Sequence, residues 1–140
     1  MKDKYFLDTN ILIYSFDSSQ LIKQQKAGQL IHLALVESKG CISYQVLQEF
    51  INVATRKFVV PLSASDCRRY LDLVIDPLCQ VFANIDLYHH ALDLMQRWHY
   101  SFYDSLIIAA ALQADCRILY SEDLQHGQSI NSLTIVNPFL

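Results

Sequence analysis

Short apolar runs alternate with helix-length stretches along this chain, and no run is joined to the next by a hairpin dipeptide of the Asn-Gly kind. The runs are Tyr5-Phe6-Leu7, Cys41-Ile42-Ser43, Cys79-Gln80-Val81-Phe82, Arg117-Ile118-Leu119-Tyr120 and Leu133-Thr134-Ile135-Val136. Strands joined through helices need crossover connections, which are right-handed and generate a parallel sheet covered on both faces. The pattern therefore predicts an α/β protein, a three-layer α/β/α sandwich around a mainly parallel sheet of about five short strands. At roughly 100–200 residues per domain, the 140 residues read as one domain over 1–140.

Helical periodicity opens at Ile11, covers about 19–38 with Gly40 closing the helix, and resumes over about 44–58, where Pro61 ends it. Ser43 is placed to cap that third helix. Ser63 or Ser65 begins another, running to Pro77, and 85–98 forms the next. The last starts at Ser101, and its body, Leu106-Ile107-Ile108-Ala109-Ala110-Ala111-Leu112, is apolar all round and so must be buried.

That seven-residue body is also the longest apolar run, where a membrane span needs about 18 or more. Lys2 and Lys4 precede an apolar stretch interrupted by Asp8 and Asn10, with no small-residue cleavage site, so a secretory leader is not expected and the chain reads as cytoplasmic. The four cysteines, Cys41, Cys67, Cys79 and Cys116, form no C-x-x-C pair and read as reduced core residues. Net charge is −3 and the isoelectric point about 5.9, which excludes holding nucleic acid by bulk positive potential. Any nucleic-acid chemistry must rest on a local site.

In parallel sheets ligands sit beyond the carboxyl ends of the strands. Asp8 follows the first strand, Asp123 follows the fourth, and Asp104 opens the buried helix. Glu49 lies at the edge of its helix's apolar stripe, with Asn52 and Val53 as its next-turn neighbours and no cation to pair with. Each acid also has a structural explanation. Asp8 fits a helix cap, Ser101 to Asp104 has the capping-box form, Asp123 fits an Asx turn before Gly127, and Glu49 fits a solvated helix face.

Jointly they imply more. Converging carboxylates repel, each pair about 4 Å apart by roughly 1 kcal/mol in water and about 4 kcal/mol at an effective dielectric near 20. A divalent cation relieves that repulsion, and an all-oxygen ligand set favours Mg²⁺ or Mn²⁺ over zinc.

Phe6-Leu7-Asp8-Thr9-Asn10-Ile11, Glu49 within Gln48-Glu49-Phe50, Tyr103-Asp104-Ser105-Leu106-Ile107-Ile108-Ala109-Ala110-Ala111 and Tyr120-Ser121-Glu122-Asp123 together resemble the four motifs of PIN-domain ribonucleases. The chain length resembles the VapC-like toxins of bacterial toxin–antitoxin pairs. The resemblance implies a metal-dependent (Mg²⁺ or Mn²⁺) endoribonuclease in which Asp8, Glu49, Asp104 and Asp123 form the catalytic, metal-holding pocket. It implies that Thr9 or Asn10 and Ser121 orient those carboxylates or the substrate phosphate. It further implies products with a 3′-hydroxyl and a 5′-phosphate, a cognate antitoxin and a homodimer. An antitoxin is expected to place a cation such as Arg in the acidic pocket. Leu124, Gln125 and His126 depart from the family's pattern, which often has a further acid and an aromatic after the last motif, and leave the number of metal ions open.

Local basic clusters at Arg56-Lys57, Arg68-Arg69, Lys23 and Lys26 are candidates for phosphate contact, as are Tyr14, Tyr44, Trp98 and Tyr100 for stacking on bases, although each also reads as ordinary surface or core. His89-His90 reads as surface or interface. A haloacid-dehalogenase-type phosphatase needs an acid two residues after its first aspartate, and Asn10 stands there. The alternative from another class is a catalytically inactive PIN-fold module that binds RNA or protein, because fold alone does not dictate function.

Overall fold

The computed structural model of the chain describes residues 4–140; Lys2, weighed above as part of a leader, lies outside them. Strand β1 (Tyr5–Leu7) is followed by helices α1 (Thr9–Tyr14) and α2 (Leu21–Val36), then β2 (Gly40–Ser43), α3 (Tyr44–Arg56) and α4 (Ala64–Tyr70). A π-helical turn (Leu71–Ile75) leads through α5 (Asp76–Leu78) into β3 (Cys79–Val81), followed by α6 (Ile85–Trp98) and α7 (Phe102–Gln113). The chain ends with β4 (Ile118–Tyr120), β5 (Ser129–Ile130) and β6 (Leu133–Val136).

The strands form one sheet in the order β3-β2-β1-β4-β6-β5. All neighbouring pairs are parallel except β5 with β6. With α7, backed by α6, packed along β2 and β4, and α2 packed at β2, the architecture is a three-layer α/β/α sandwich. All residues of β1 and β2 are buried, and so is α7 from Ser105 to Ala111, as its all-round apolar body requires.

Three expectations change. The sheet has six strands rather than about five, because Ser129–Ile130 turns back on β6 through Asn131-Ser132. Asn131 takes a left-handed φ of 54°, a conformation asparagine tolerates, so a hairpin exists without an Asn-Gly signal. Gly40 does not close α2 but sits in β2. A Cβ there would lie 2.3 Å from the Ala34 Cβ and 2.9 Å from the Tyr5 ring, so glycine is required by the close approach of helix and strand. Ser43 stands at the N-cap of α3, yet its hydroxyl makes no capping bond and has no partner.

All four cysteines are free, with Cys41 and Cys116 buried and their sulfurs 3.5 Å apart. Among the described residues no helix is long and apolar enough to cross a membrane.

The chain leaves β1 toward β2 on one side and later returns to place β4 on the other. The carboxyl ends of β1 and β4 therefore flank the point where strand order reverses, and a crevice opens there in such sheets.

Candidate active site

Asp8 leaves β1 in extended conformation and caps α1, its Oδ1 accepting the Thr9 N–H at 2.7 Å. Its own N–H donates to the Tyr120 carbonyl at 3.0 Å, which extends the β1–β4 pairing into the site. The other carboxylate oxygen accepts the Ser121 hydroxyl at 2.7 Å. Ser121 is fully buried, and its Oγ also accepts the N–H groups of Asp123 (3.2 Å) and Leu124 (3.4 Å), folding the loop after β4 around the Asp8 carboxylate.

The first turn of α1 supplies two further contacts. The buried Thr9 hydroxyl donates to Glu49 Oε1 at 2.6 Å, linking α1 to α3. Asn10 Nδ2 donates to Asp123 Oδ2 at 3.2 Å, while its side-chain Oδ1 accepts the Glu122 N–H at 3.3 Å. Glu122 is itself anchored by Tyr14 and Lys23, each 2.5 Å from one of its carboxylate oxygens. Asp104 lies in the first turn of α7, where its N–H donates to the capping Ser101 hydroxyl.

Asp8, Glu49, Asp104 and Asp123 line one cavity of about 350 Å³ at the carboxyl ends of the strands. Thr9 and Asn10 share its wall. Burial pushes the Asp8 carboxyl up to about 6; the Ser121 and Thr9 hydrogen bonds oppose that rise, and the nearby charges of Glu49 and Asp123 add to it. Burial also acts against ionisation of Glu122, but Lys23 and Tyr14 outweigh it and hold that carboxyl below its ordinary value. Among the described residues lining the cavity there is no lysine or arginine. The four acids thus share one cavity whose described lining carries no countercharge.

Among the described residues, no group of three or more His, Cys, Asp or Glu side chains is drawn together closely enough to hold an ion. The donor set still suits a hard divalent cation. It is all oxygen, it is uncompensated, and burial raises the Asp8 carboxyl to about 6, a rise that a bound cation would oppose.

The other sequence candidates fall elsewhere. Arg56, Lys57, Arg68 and Arg69 are exposed and off the cavity wall, and Lys23 is engaged with Glu122; Lys26 is half-buried on α2. Tyr14 bonds Glu122, Tyr44 bonds Tyr88, Tyr100 bonds Gln128, and Trp98 lies beside Arg97; none lines the cavity. His90 lines a separate surface depression, and His89 is exposed. Sequence reasoning missed Gln45 and Tyr103 on the cavity wall. Gln45 could have been found one helical turn before Glu49, as a polar residue within the apolar stripe of α3.

The PIN domain family model matches residues 5–128, which contain all four acids and their orienting partners. The chain belongs to the PIN-domain family. No curated protein matches its sequence. Among solved structures, this PIN domain resembles the toxin–antitoxin complex from Klebsiella pneumoniae at 19% identity, with 96% of this chain and 98% of that one covered and a TM-score of 0.67. It is similar to the DNA-bound VapBC from Salmonella typhimurium at 20% identity, covering 95% and 96%, with a TM-score of 0.63. VapC20 from Mycobacterium tuberculosis, a toxin cleaving the sarcin-ricin loop, matches at 19% identity, covering 86% and 90%, with a TM-score of 0.60. At these identities the likeness is one of fold.

Proposed function

We propose that this PIN protein is a metal-dependent endoribonuclease acting as the toxin of a toxin–antitoxin pair. The observation that carries the reading is the cavity lined by Asp8, Glu49, Asp104 and Asp123, from four separate segments, with no cation among the described residues of its wall. Carboxylates that repel one another at a structural cost need a compensating function, and holding Mg²⁺ or Mn²⁺ is the one their chemistry fits. Such an ion, when bound, supplies charge neutralisation at a phosphodiester and lowers the pKa of a water near it.

The protein's own part is orientation. Ser121 and the Thr9 N–H fix both oxygens of Asp8, the Thr9 hydroxyl fixes Glu49, and the Asn10 amide fixes Asp123. Three of the acids, Asp8 at the end of β1, Glu49 within α3 and Asp123 after β4, are thereby fixed on the wall of one cavity, the rigid placement that metal and phosphate chemistry requires. Asp104, on the N-terminal turn of a helix buried from Ser105 to Ala111, is carried by an element that cannot shift without moving the core.

The solved toxin–antitoxin complexes of the same fold support a protein partner for this chain, a cognate antitoxin. The uncompensated acids make an Arg set among them, covering the cavity, the expected mode of that contact. Homodimerisation and a cytoplasmic location belong to the same reading. Cleavage of total RNA by purified protein in millimolar Mg²⁺ or Mn²⁺ is the direct test. Asp8→Asn is expected to lose at least about 10- to 100-fold of the activity. Retention of more than about a tenth overturns a metal-holding role for Asp8, and a parent that cleaves no RNA under these conditions favours the inactive binding module.

A further inference from the structure

Tyr103 lines the carboxylate cavity one residue before Asp104 but takes no part in orienting any acid. It is 66% exposed, whereas Asp8, Glu49 and Asp104 are half-buried. A ring left this open adds little to the core, so packing does not account for an aromatic there.

Its placement is nonetheless well supported. Gln45, a buried amide on α3, donates Nε2–H to the Tyr103 carbonyl at 3.2 Å. The Tyr103 ring meets Phe102 edge-on, with centroids 5.3 Å apart, and Phe102 lies nearly parallel to Tyr88 at 6.2 Å. The Tyr88 and Tyr44 hydroxyls are hydrogen-bonded at 2.5 Å. The open ring is therefore carried on a helix whose first turn is tied to α3, with an aromatic layer behind it.

Resting on the nuclease reading, we propose that Tyr103 is a stacking platform for an unpaired nucleobase of the strand being cut. A phosphodiester held at the carboxylates brings its flanking bases to the rim that Tyr103 occupies. Single-stranded RNA is recognised largely by bases splayed onto aromatic side chains, and stacking is indifferent to charge. That matters in a protein of net charge −3 with no cation among the described residues of the cavity wall. Affinity that cannot come from positive potential has to come from such contacts. Bases within a duplex are already stacked, so the platform selects single strands, loops or ends.

The test measures binding of fluorescein-labelled short oligouridine, oligoadenosine and an RNA duplex by anisotropy, in Asp8→Asn protein with millimolar Mg²⁺. Adding Tyr103→Ala should weaken single-strand binding roughly 5- to 100-fold, while duplex binding changes little. Tyr103→Phe and Tyr103→Trp should retain affinity, and the single strand should quench the new indole in Tyr103→Trp. All three variants should melt with the parent, since the ring is exposed. Unchanged affinity in Tyr103→Ala, equal loss in Tyr103→Phe, or a parent that binds no single strand overturns the platform. Cleavage by Asp8→Asn in the otherwise unaltered chain separates the two readings. If the unaltered chain cuts RNA, Asp8→Asn does not, and Tyr103→Ala still binds normally, only the platform fails; if the unaltered chain does not cut, the nuclease reading fails with it.

Discussion

Both oxygens of the Asp8 carboxylate are engaged, one by the Thr9 N–H and one by the Ser121 hydroxyl, so helix cap and cavity acid are the same side chain. Its carboxyl is raised from 3.8 to about 6, with burial the largest cause. Between about pH 4 and pH 6 the metal-free folded protein therefore holds a proton that the unfolded chain releases. The stability this contributes is complete below about pH 4 and is lost as pH rises through 6. Asp8→Asn mimics the protonated form. Its melting temperature, measured without metal, should accordingly exceed that of the parent by a margin that grows from pH 4 to pH 7 and then levels. A margin independent of pH would refute the assignment. Ser121→Ala removes a donor to Asp8 and the acceptor of two backbone N–H groups at a fully buried position. Urea denaturation should show a loss of about 1–3 kcal/mol, with RNA cleavage falling at the same time.

At the scale of elements, α2 and β2 approach closely at Gly40. Gly40→Ala drives a methyl group to within 2.3 Å of Ala34, and neither the strand nor the helix can yield without disturbing Tyr5. Overpacking of this kind costs typically about 1–3 kcal/mol, so the variant should unfold at lower urea with an unchanged slope. Helix α7 illustrates how much a pattern can carry: seven consecutive apolar residues admit no solvent face, and every one but the last is buried. Strand β5 illustrates the opposite. Two residues have no period, and their strand character comes entirely from pairing with Thr134 and Leu133. The Ser43 cap fails for a related reason. A sequence rule places an oxygen near the helix start, but the burial that follows from pairing β2 within the sheet sets where that oxygen can point.

For the molecule as a whole, the four acids should behave as one electrostatic unit. Millimolar Mg²⁺ or Mn²⁺ is expected to raise the melting temperature of the parent, by about 2.7 kcal/mol of added stability at 100 times the dissociation constant. Asp8→Asn and Asp104→Asn should start higher without metal and respond less to it. If metal changes nothing and both variants lose stability, the acids are structural caps and the nuclease reading fails.

The layered α/β class, the buried α7 and the positions of Asp8, Asp104 and Asp123 at element ends were legible in the chain because each follows from local periodicity or from residues within a few positions. Glu49 was legible only as a boundary residue of α3. That it accepts a bond from Thr9, 40 residues away, and that Asn10 reaches Asp123 across 113 residues, no local pattern could indicate. The same holds for Gln45 against Tyr103, and for Lys23, which looked available to phosphate and is engaged by Glu122. Propensity and hydrophobic period act over a few residues and set which elements form. Which polar groups become neighbours, which are desolvated and which are left open to a ligand depends on how the strands are ordered, and that order is chosen by burial of the whole core at once.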